Sequence, residues 1–204
     1  MVVPPNGDDI LPRALGSDLG AIFKPSPALL VNVAAWFLDL EQEFVYVGDA
    51  AIVEAGGKTR RMGVDLSARV QLFKHLYADV DATYTYARGN EPEVPKSESY
   101  IPLAPIYTGT GGITWDKNTG FYGSLRFRHL GDRSANEDNS LSADGYFLLD
   151  AVAGWKWEKI ELNLSVQNLL NEDWIEAQFE TTSRLRNEQE PTTEIHYKPG
   201  TPFY

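Results

Sequence analysis

The sequence predicts an all-β protein, an antiparallel up-and-down segment of a transmembrane β-barrel with seven full strands and a partial strand at each end. Three observations carry this prediction. Apolar and polar residues alternate with a period of two over long stretches, as in strands whose faces meet different environments. These stretches run to about ten residues, the length that a tilted strand needs to cross a bilayer. The connections alternate between short turns and long polar loops, as in membrane barrels.

The strands follow one another with few interruptions. The first, a partial strand, ends at the turn of residues 24–27, and a segment from Leu29 to Val47 follows. In residues 62–73 Val64, Leu66 and Val70 share one face, while polar residues occupy the other. The same alternation continues in residues 76–87, 107–115, 122–130, 146–157 and 160–169.

The connections fall into two length classes. Short connections occur at residues 24–27, 73–75, 115–121 and 157–161. Long polar connections occur at residues 48–61, 88–105, 131–145 and 171–200. Barrels of the bacterial outer membrane have short turns facing the periplasm and long loops facing outside. The pattern therefore predicts both a membrane barrel and its orientation.

Aromatic residues on the apolar face gather near the two strand ends. Residues near short turns are Trp115, Trp155 and Trp157, and those near long loops are Tyr84, Tyr86, Tyr107 and Phe147. Two such belts are expected where amphipathic rings sit at both membrane interfaces. A soluble β-sandwich with aromatic residues at its ends is the alternative.

Composition excludes several functions. The 204 residues carry a net charge of −11, so no basic stripe is present for a nucleic-acid partner. With no cysteine, the chain has no disulfide, thiolate nucleophile or cysteine-bound zinc. Its longest apolar stretch, residues 33–38, is far shorter than the roughly 20 residues of a membrane-spanning helix. Residues 1–13 do not resemble a signal peptide.

The segments 167–174 (QNLLNEDW) and 199–202 (PGTP) resemble TonB-dependent outer-membrane receptors. That family has an Asn-Leu-Leu-Asn-like segment at the top of its penultimate strand, a long last loop and a Pro-Gly-x-Pro entry to its final strand. Similar segments occur at residues 37–49, 59–72, 101–115, 122–133 and 145–155. The resemblance extends over nearly the whole chain from about Leu11. It implies a 22-strand barrel in the outer membrane of a Gram-negative bacterium.

The resemblance also implies a function. Outer loops of such receptors bind a small nutrient, often a ferric siderophore, and energy coupled through TonB imports it without chemical catalysis. The family's plug, TonB-contacting segment and signal peptide are not recognised here. We therefore expect residues 1–204 to be the C-terminal part of the barrel domain, with the plug and the first half of the barrel absent. TonB would act only through that absent N-terminal part.

Strand counting gives the same expectation. If residues 24–27 form a periplasmic turn, the strand from Ile160 to Leu169 runs outward and the loop 171–200 lies outside. The chain would then end just inside a returning strand, with Tyr204 in the middle of that strand. A single-chain barrel brings both ends to the periplasm, which again predicts a barrel segment.

The candidate functional residues form two groups. Charged residues expected to face a hydrated lumen are Asp65, Arg69, Asp79, Asp81, Arg126, Arg128, Asp150 and Glu161. Candidate ligand contacts in the outer loops are Asn136, Glu137, Asp138 and Trp174. The acidic loop 136–139 is also explained as an ordinary solvated loop, since it has no calcium-loop spacing.

No other motif predicts a metal-binding, phosphate-binding or catalytic site. His75, His129 and His196 share no metal-ligand spacing, and the glycine run at residues 108–113 lacks the helix that a phosphate loop requires. No Ser–His–Asp arrangement is recognisable, so neither a cofactor nor an enzyme activity is predicted. Two alternatives remain open: a small complete outer-membrane barrel with a structural or adhesive role, and a soluble β-sandwich binding module.

Overall fold

The structure is a computed structural model that describes residues 12–47 and 52–203. Long alternating stretches form long strands, and short polar segments separate them. In chain order the strands are β1 (Ala14–Ser26), β2 (Leu29–Leu40), β3 (Phe44–Val47), β4 (Ile52–Ala55), β5 (Thr59–Phe73), β6 (Leu76–Gly89), β7 (Tyr107–Trp115), β8 (Gly120–Leu130), β9 (Arg133–Ser134), β10 (Ser142–Ala143), β11 (Tyr146–Lys156), β12 (Glu161–Val166), β13 (Ile175–Ser183) and β14 (Thr192–Pro199).

Eight of these strands form one antiparallel sheet in the order β1-β2-β5-β6-β7-β8-β11-β12. Each strand pairs with the next long strand along the chain, which is the predicted up-and-down topology. The long strands β5 and β6 have 15 and 14 residues, enough to cross a bilayer when tilted. The predicted fold class is confirmed.

Tight turns join the long strands at one end of the sheet, here called the turn end. Ser26 pairs with Leu29, and Phe73 pairs with Leu76 across two-residue turns. Between β7 and β8, Gly120 adopts a φ of 96°, a conformation that residues with a side chain rarely adopt. The opposite end, which carries the long connections, is called the loop end.

The long connections contain structure that the sequence did not predict. Small hairpins β3–β4, β9–β10 and β13–β14 stand at the loop end. The connection 171–200, expected as one loop, contains β13 and β14 with nine and eight residues. The segment predicted from Leu29 to Val47 divides at residues 41–43 into β2 and β3.

The sequence predicts a partial strand at each end of the chain. The first strand, expected to be partial, is a full strand of 13 residues. Residues 201–203 form no strand. Residues 1–11, part of the connection 48–61 (residues 48–51), and Tyr204 lie outside the described residues, and so does the expectation that Tyr204 lies in mid-strand.

The main sheet has no second sheet packed against its apolar face within the described residues. Val64 and Leu164, which a β-sandwich would bury, are 44% and 66% exposed. Buried apolar residues instead lie toward the loop end; they are Ala87, Ala135, Ala143 and Leu148. In residues 12–47 and 52–203, no helix is long and apolar enough to span a membrane.

Candidate functional site

The pairing register places all eight predicted charged residues on one face of the main sheet, here called the polar face. Asp65, Arg69 and their neighbours alternate with the aliphatic residues of β5, and pairing carries the same alternation across to β12. Because side chains alternate between faces, the other face is apolar throughout its middle. The polar face is the first part of the candidate site.

One row across the polar face alternates in charge. Arg69, Asp79, Gly112, Arg126 and Asp150 lie directly opposite one another on β5, β6, β7, β8 and β11. Gly112 supplies no side chain, so Arg126 crosses β7 and forms an ion pair with Asp79. A Cβ atom at position 112 would meet the carbonyl oxygen of Leu125 and the Cα of Arg126. The glycine is therefore required for the close approach of β7 and β8.

The remaining charges of the row pair diagonally. Arg69 Nη2 lies 2.7 Å from Asp81 Oδ2, and Arg128 Nη2 lies 3.2 Å from Asp150 Oδ2. These side chains are partly exposed, from 22% for Asp150 to 47% for Arg69. Each exposed ion pair of this kind contributes about 0–1 kcal/mol. Together the pairs hold the charges in fixed positions on a face that stays accessible.

Two other predicted residues of the polar face have hydrogen-bond partners. The Thr83 hydroxyl donates to Asp65 at 2.8 Å, and the Tyr122 hydroxyl donates to Glu161. Lys156, which faces Glu161 across the strand pair, instead reaches Asp116 at 3.2 Å. The eight charged residues predicted for the polar face are three arginines and five carboxylates. Each of them has a hydrogen-bond or ion-pair partner.

The second part of the candidate site is a cavity of about 500 Å³ at the loop end. It is lined by Glu98, Pro102, Asn136, Glu137, Asp138 and Glu180. Three of the four predicted outer-loop residues therefore lie together, joined by Glu98 and Pro102 from the 88–105 connection and Glu180 from the 171–200 connection. Four carboxylates in the lining give the cavity an acidic character.

Hydrogen bonds within the β9–β10 turn shape this cavity. The backbone N–H of Ser140 donates to Asp138 Oδ1 at 3.0 Å, and the Ser140 hydroxyl donates to the same atom at 2.7 Å. These two hydrogen bonds stabilise the charged form and lower the pKa of Asp138. Asn136 donates to the Ser140 hydroxyl and accepts from the backbone of Leu141. The side chains of Asn136 and Asp138 therefore hold the turn that presents Glu137.

The fourth predicted residue, Trp174, does not line the cavity. Its ring packs on Tyr146 with 4.9 Å between centroids, and its Nε1 donates to the Thr201 carbonyl at 2.9 Å. Gly200 lies so close that a Cβ there would overlap the indole. Trp174 thereby fastens β13 to the end of β14, and its role as a ligand contact stays a prediction.

Asn168 organises the connection between β12 and β13. It is buried and has a φ of 51°, a left-handed conformation that asparagine tolerates better than most residues. Its side chain accepts from the Glu172 N–H at 2.9 Å and donates to the Glu172 carbonyl at 2.8 Å. Its backbone N–H donates to Asp150 at 3.0 Å, which links this connection to the polar face.

Sequence reasoning missed a second organising residue, Gln178. Its amide group accepts from the Asp144 N–H at 2.9 Å and donates to the Asp144 carbonyl at 2.8 Å. Beside it, Arg133 is 9% exposed and donates to the same carbonyl at 3.4 Å; burial lowers the pKa of Arg133. These contacts join the 131–145 connection to the β13–β14 hairpin. The sequence gives no signal for them, because one glutamine in a polar stretch has no distinguishing pattern.

An all-β sheet with a polar, ion-paired face, an apolar face and long loops at one end defines the wall of a membrane β-barrel. The family described as TonB dependent receptor-like, beta-barrel, matches residues 5–169, and the chain belongs to this family. The predicted resemblance is confirmed. Barrels of this family are outer-membrane proteins of Gram-negative bacteria, and the family consists of receptors and transporters rather than enzymes.

Solved receptors share the fold. The ferric yersiniabactin uptake receptor FyuA from Yersinia pestis has a TM-score of 0.68 at 16% identity, covering 90% of this chain and 28% of that one. The ferric citrate transporter FecA, unliganded, has a TM-score of 0.68 at 16% identity, with coverages of 93% and 30%. The receptor Fiu from K12 E. coli, in its closed form, has a TM-score of 0.65 at 20% identity, with coverages of 93% and 26%.

These likenesses show the fold alone. The chain spans less than a third of the length of each of these three receptors.

Proposed function

We propose that this chain is the C-terminal part of the barrel of an outer-membrane receptor that imports a small nutrient, such as a ferric siderophore, with energy coupled through TonB. The plug, the remaining strands and the contact with TonB come from other parts of the same receptor. Family membership supports this proposal, and the joint presence of a polar wall and an acidic loop-end cavity carries it for this chain. No catalytic step is assigned to it.

The two parts of the site have different roles in this proposal. The lumen wall is formed by Asp65, Arg69, Asp79, Asp81, Arg126, Arg128, Asp150 and Glu161. Paired charges of both signs suit a hydrated channel that contacts a plug, since water and polar partners screen them. The cavity with Glu137 and Glu180 is the first contact of the ligand with the receptor. Its carboxylates favour a ligand that presents hydrogen-bond donors or positive charge.

The test is uptake of ⁵⁵Fe-labelled ferric siderophores by cells in which this receptor is the only route of entry. Uptake should stop in a strain without TonB. Equal uptake with and without TonB would overturn the proposal.

Loop variants test the ligand contacts in the same assay. E137Q and E180Q should raise the KM for uptake by about tenfold, since each removes a charge-assisted hydrogen bond. E190Q removes one carboxylate from the same outer region, at a position that does not line the cavity, and serves as the matched control. An equal change in all three variants would assign the effect to overall charge and not to the cavity.

A further inference from the structure

The apolar face changes in character toward the loop end. Along β6 this face carries, in order, Val80, Ala82, Tyr84, Tyr86 and Arg88. A strand rises about 3.4 Å per residue, so Arg88 lies about 14 Å beyond Tyr84 along the strand. Aliphatic, aromatic and cationic levels in this order match the acyl region, interface and head-group region of a bilayer leaflet.

The cationic level holds two guanidinium groups side by side. Arg60 and Arg88 are directly opposite on β5 and β6, a position in which like charges repel. Arg60 pairs with Asp39 at 2.5 Å. Arg88 has no ion-pair partner among the described residues, and its guanidinium carbon lies 3.7 Å from the ring centroid of Tyr100 and 4.8 Å from that of Tyr86. The pair therefore keeps an excess positive charge, which an anion beside both groups would offset.

Below this level, a groove of about 610 Å³ lies across the apolar face. Gly109 forms its floor, because this position of β7 has no side chain. One wall is the ring pair Tyr84–Tyr107, with 5.0 Å between centroids, and the other is the stacked pair Phe127–Phe147 at 5.6 Å. A groove walled by rings and aliphatic side chains suits a hydrocarbon chain.

We propose that these two features form one binding site for a phosphorylated lipid of the outer leaflet. Its phosphate lies between Arg60 and Arg88, and one acyl chain runs down into the groove over Gly109. The charge complementarity at the top and the hydrocarbon lining below select this occupant. The inference rests on the proposed placement in the outer membrane with the loop end outward.

The test measures binding of bisphosphorylated lipid A to the purified full-length receptor in detergent micelles by native mass spectrometry. R60Q and R88Q should each weaken binding about fivefold, the effect expected for one cation near a lipid surface. K74Q removes a cation at the turn end of the same β5–β6 hairpin and should change nothing. Equal weakening by K74Q would indicate non-specific charge attraction and overturn the proposal.

Two further ligands show whether the site recognises the phosphate of a lipid or a free phosphate ion. Lipid A without phosphates should bind the wild type and the R60Q/R88Q variant equally. Inorganic phosphate at the same concentration should not displace lipid A, because it lacks the acyl chain. Displacement by inorganic phosphate would assign the site to a free anion and contradict a lipid.

A groove variant tests the acyl chain independently of charge. A Cβ at Gly109 would lie 3.8 Å from its nearest neighbours, so G109L fills the groove without a backbone clash and should weaken binding several-fold. A153L adds the same side chain elsewhere on the apolar face and should bind like the wild type. Unchanged binding by G109L would contradict the groove. The same variants should keep wild-type nutrient uptake, so loss of uptake and loss of lipid binding report on separate proposals.

Discussion

At the scale of single residues, Gly112 has the clearest structural role on the polar face. It lies between Asp79 and Arg126 in the alternating row, and its missing side chain lets those two charges meet across a strand. At Gly109, three residues earlier on the other face, an added Cβ would meet its nearest atoms at an ordinary contact distance of 3.8 Å. An added methyl group should therefore be accommodated at Gly109 and not at Gly112.

Replacement of each glycine by alanine tests this difference. G112A should lower the free energy of unfolding by about 1–3 kcal/mol, because the added methyl overlaps β8. G109A should raise it by roughly 0.5–1 kcal/mol through reduced chain entropy in the unfolded state. Urea unfolding in lipid vesicles, followed by tryptophan fluorescence, measures both. A loss of equal size in the two variants would show that overlap with β8 is not the cause.

Asp138 provides a prediction about pH. Its pKa is lowered by two hydrogen bonds from Ser140, so these bonds stabilise the loop above the pKa of the unfolded chain. That stabilisation is lost as the pH falls through the lower, folded-state pKa. S140A should raise the pKa of Asp138 toward its ordinary value, measured by the carboxyl carbon chemical shift. S142A, in the same hairpin, should leave this pKa unchanged.

At the scale of elements, Asn168 connects the end of β12 to the loop that follows. N168A removes both side-chain hydrogen bonds to Glu172 and places alanine in a left-handed conformation. Amide exchange at Glu172 should become faster by about fivefold or more, which corresponds to about 1–3 kcal/mol for the lost hydrogen bonds. Hydrogen exchange with mass spectrometry measures this change.

Two further variants distinguish the causes. N168G keeps the backbone conformation but loses the side chain, and N168D keeps the acceptor but loses the donor. If the hydrogen bonds are responsible, N168G exchanges fast and N168D is intermediate. If N168G exchanges like the wild type, backbone strain alone explains the effect of N168A.

The long strands and the polar face could be predicted because their signal is a repeated alternation. The charges from Asp65 to Glu161 fall on one face as soon as the period of two is recognised, since the register follows from tight turns. The β9–β10 hairpin was missed because its strands have only two residues each. The β13–β14 hairpin was missed because its strands are mostly polar and show no clear alternation. Residues 175–199 contain Thr181, Thr182, Thr192 and Thr193. Threonine is compatible both with a paired strand and with a solvated loop, so these residues do not distinguish the two.

Contacts between distant loops could not be predicted. Gln178 bonds to Asp144, 34 residues away, and nothing local distinguishes it from its neighbours. Glu98 and Glu180 join the cavity of Glu137 only because three separate connections meet at one end of the sheet. Asn136, Glu137 and Asp138 were found because they are consecutive.

At the scale of the whole molecule, the main sheet has two edges, β1 and β12. Leu19 and Ile22 of β1 are 81% and 79% exposed. A strand with unpaired backbone groups associates with other edges unless it is covered. In the proposed receptor the remaining barrel strands cover both edges.

This arrangement predicts the behaviour of residues 1–204 expressed alone. The chain should aggregate in detergent and should show the same gel mobility before and after boiling, because an open sheet gains no resistance to unfolding. The full-length receptor should shift in mobility on boiling, as closed barrels do. A boiling-dependent shift for residues 1–204 alone would mean that the segment closes by itself and would favour a small complete barrel.

The row of alternating charges also affects how the wall is assembled. Because faces alternate at every residue, a slip of one position between β7 and β8 would turn Arg126, Arg128 and their neighbours toward hydrocarbon. A slip of two positions would keep the faces but would separate Arg126 from Asp79 and bring the wrong partners together. Both misaligned pairings are thereby disfavoured, so the charges of the polar face help to specify the native register of these strands.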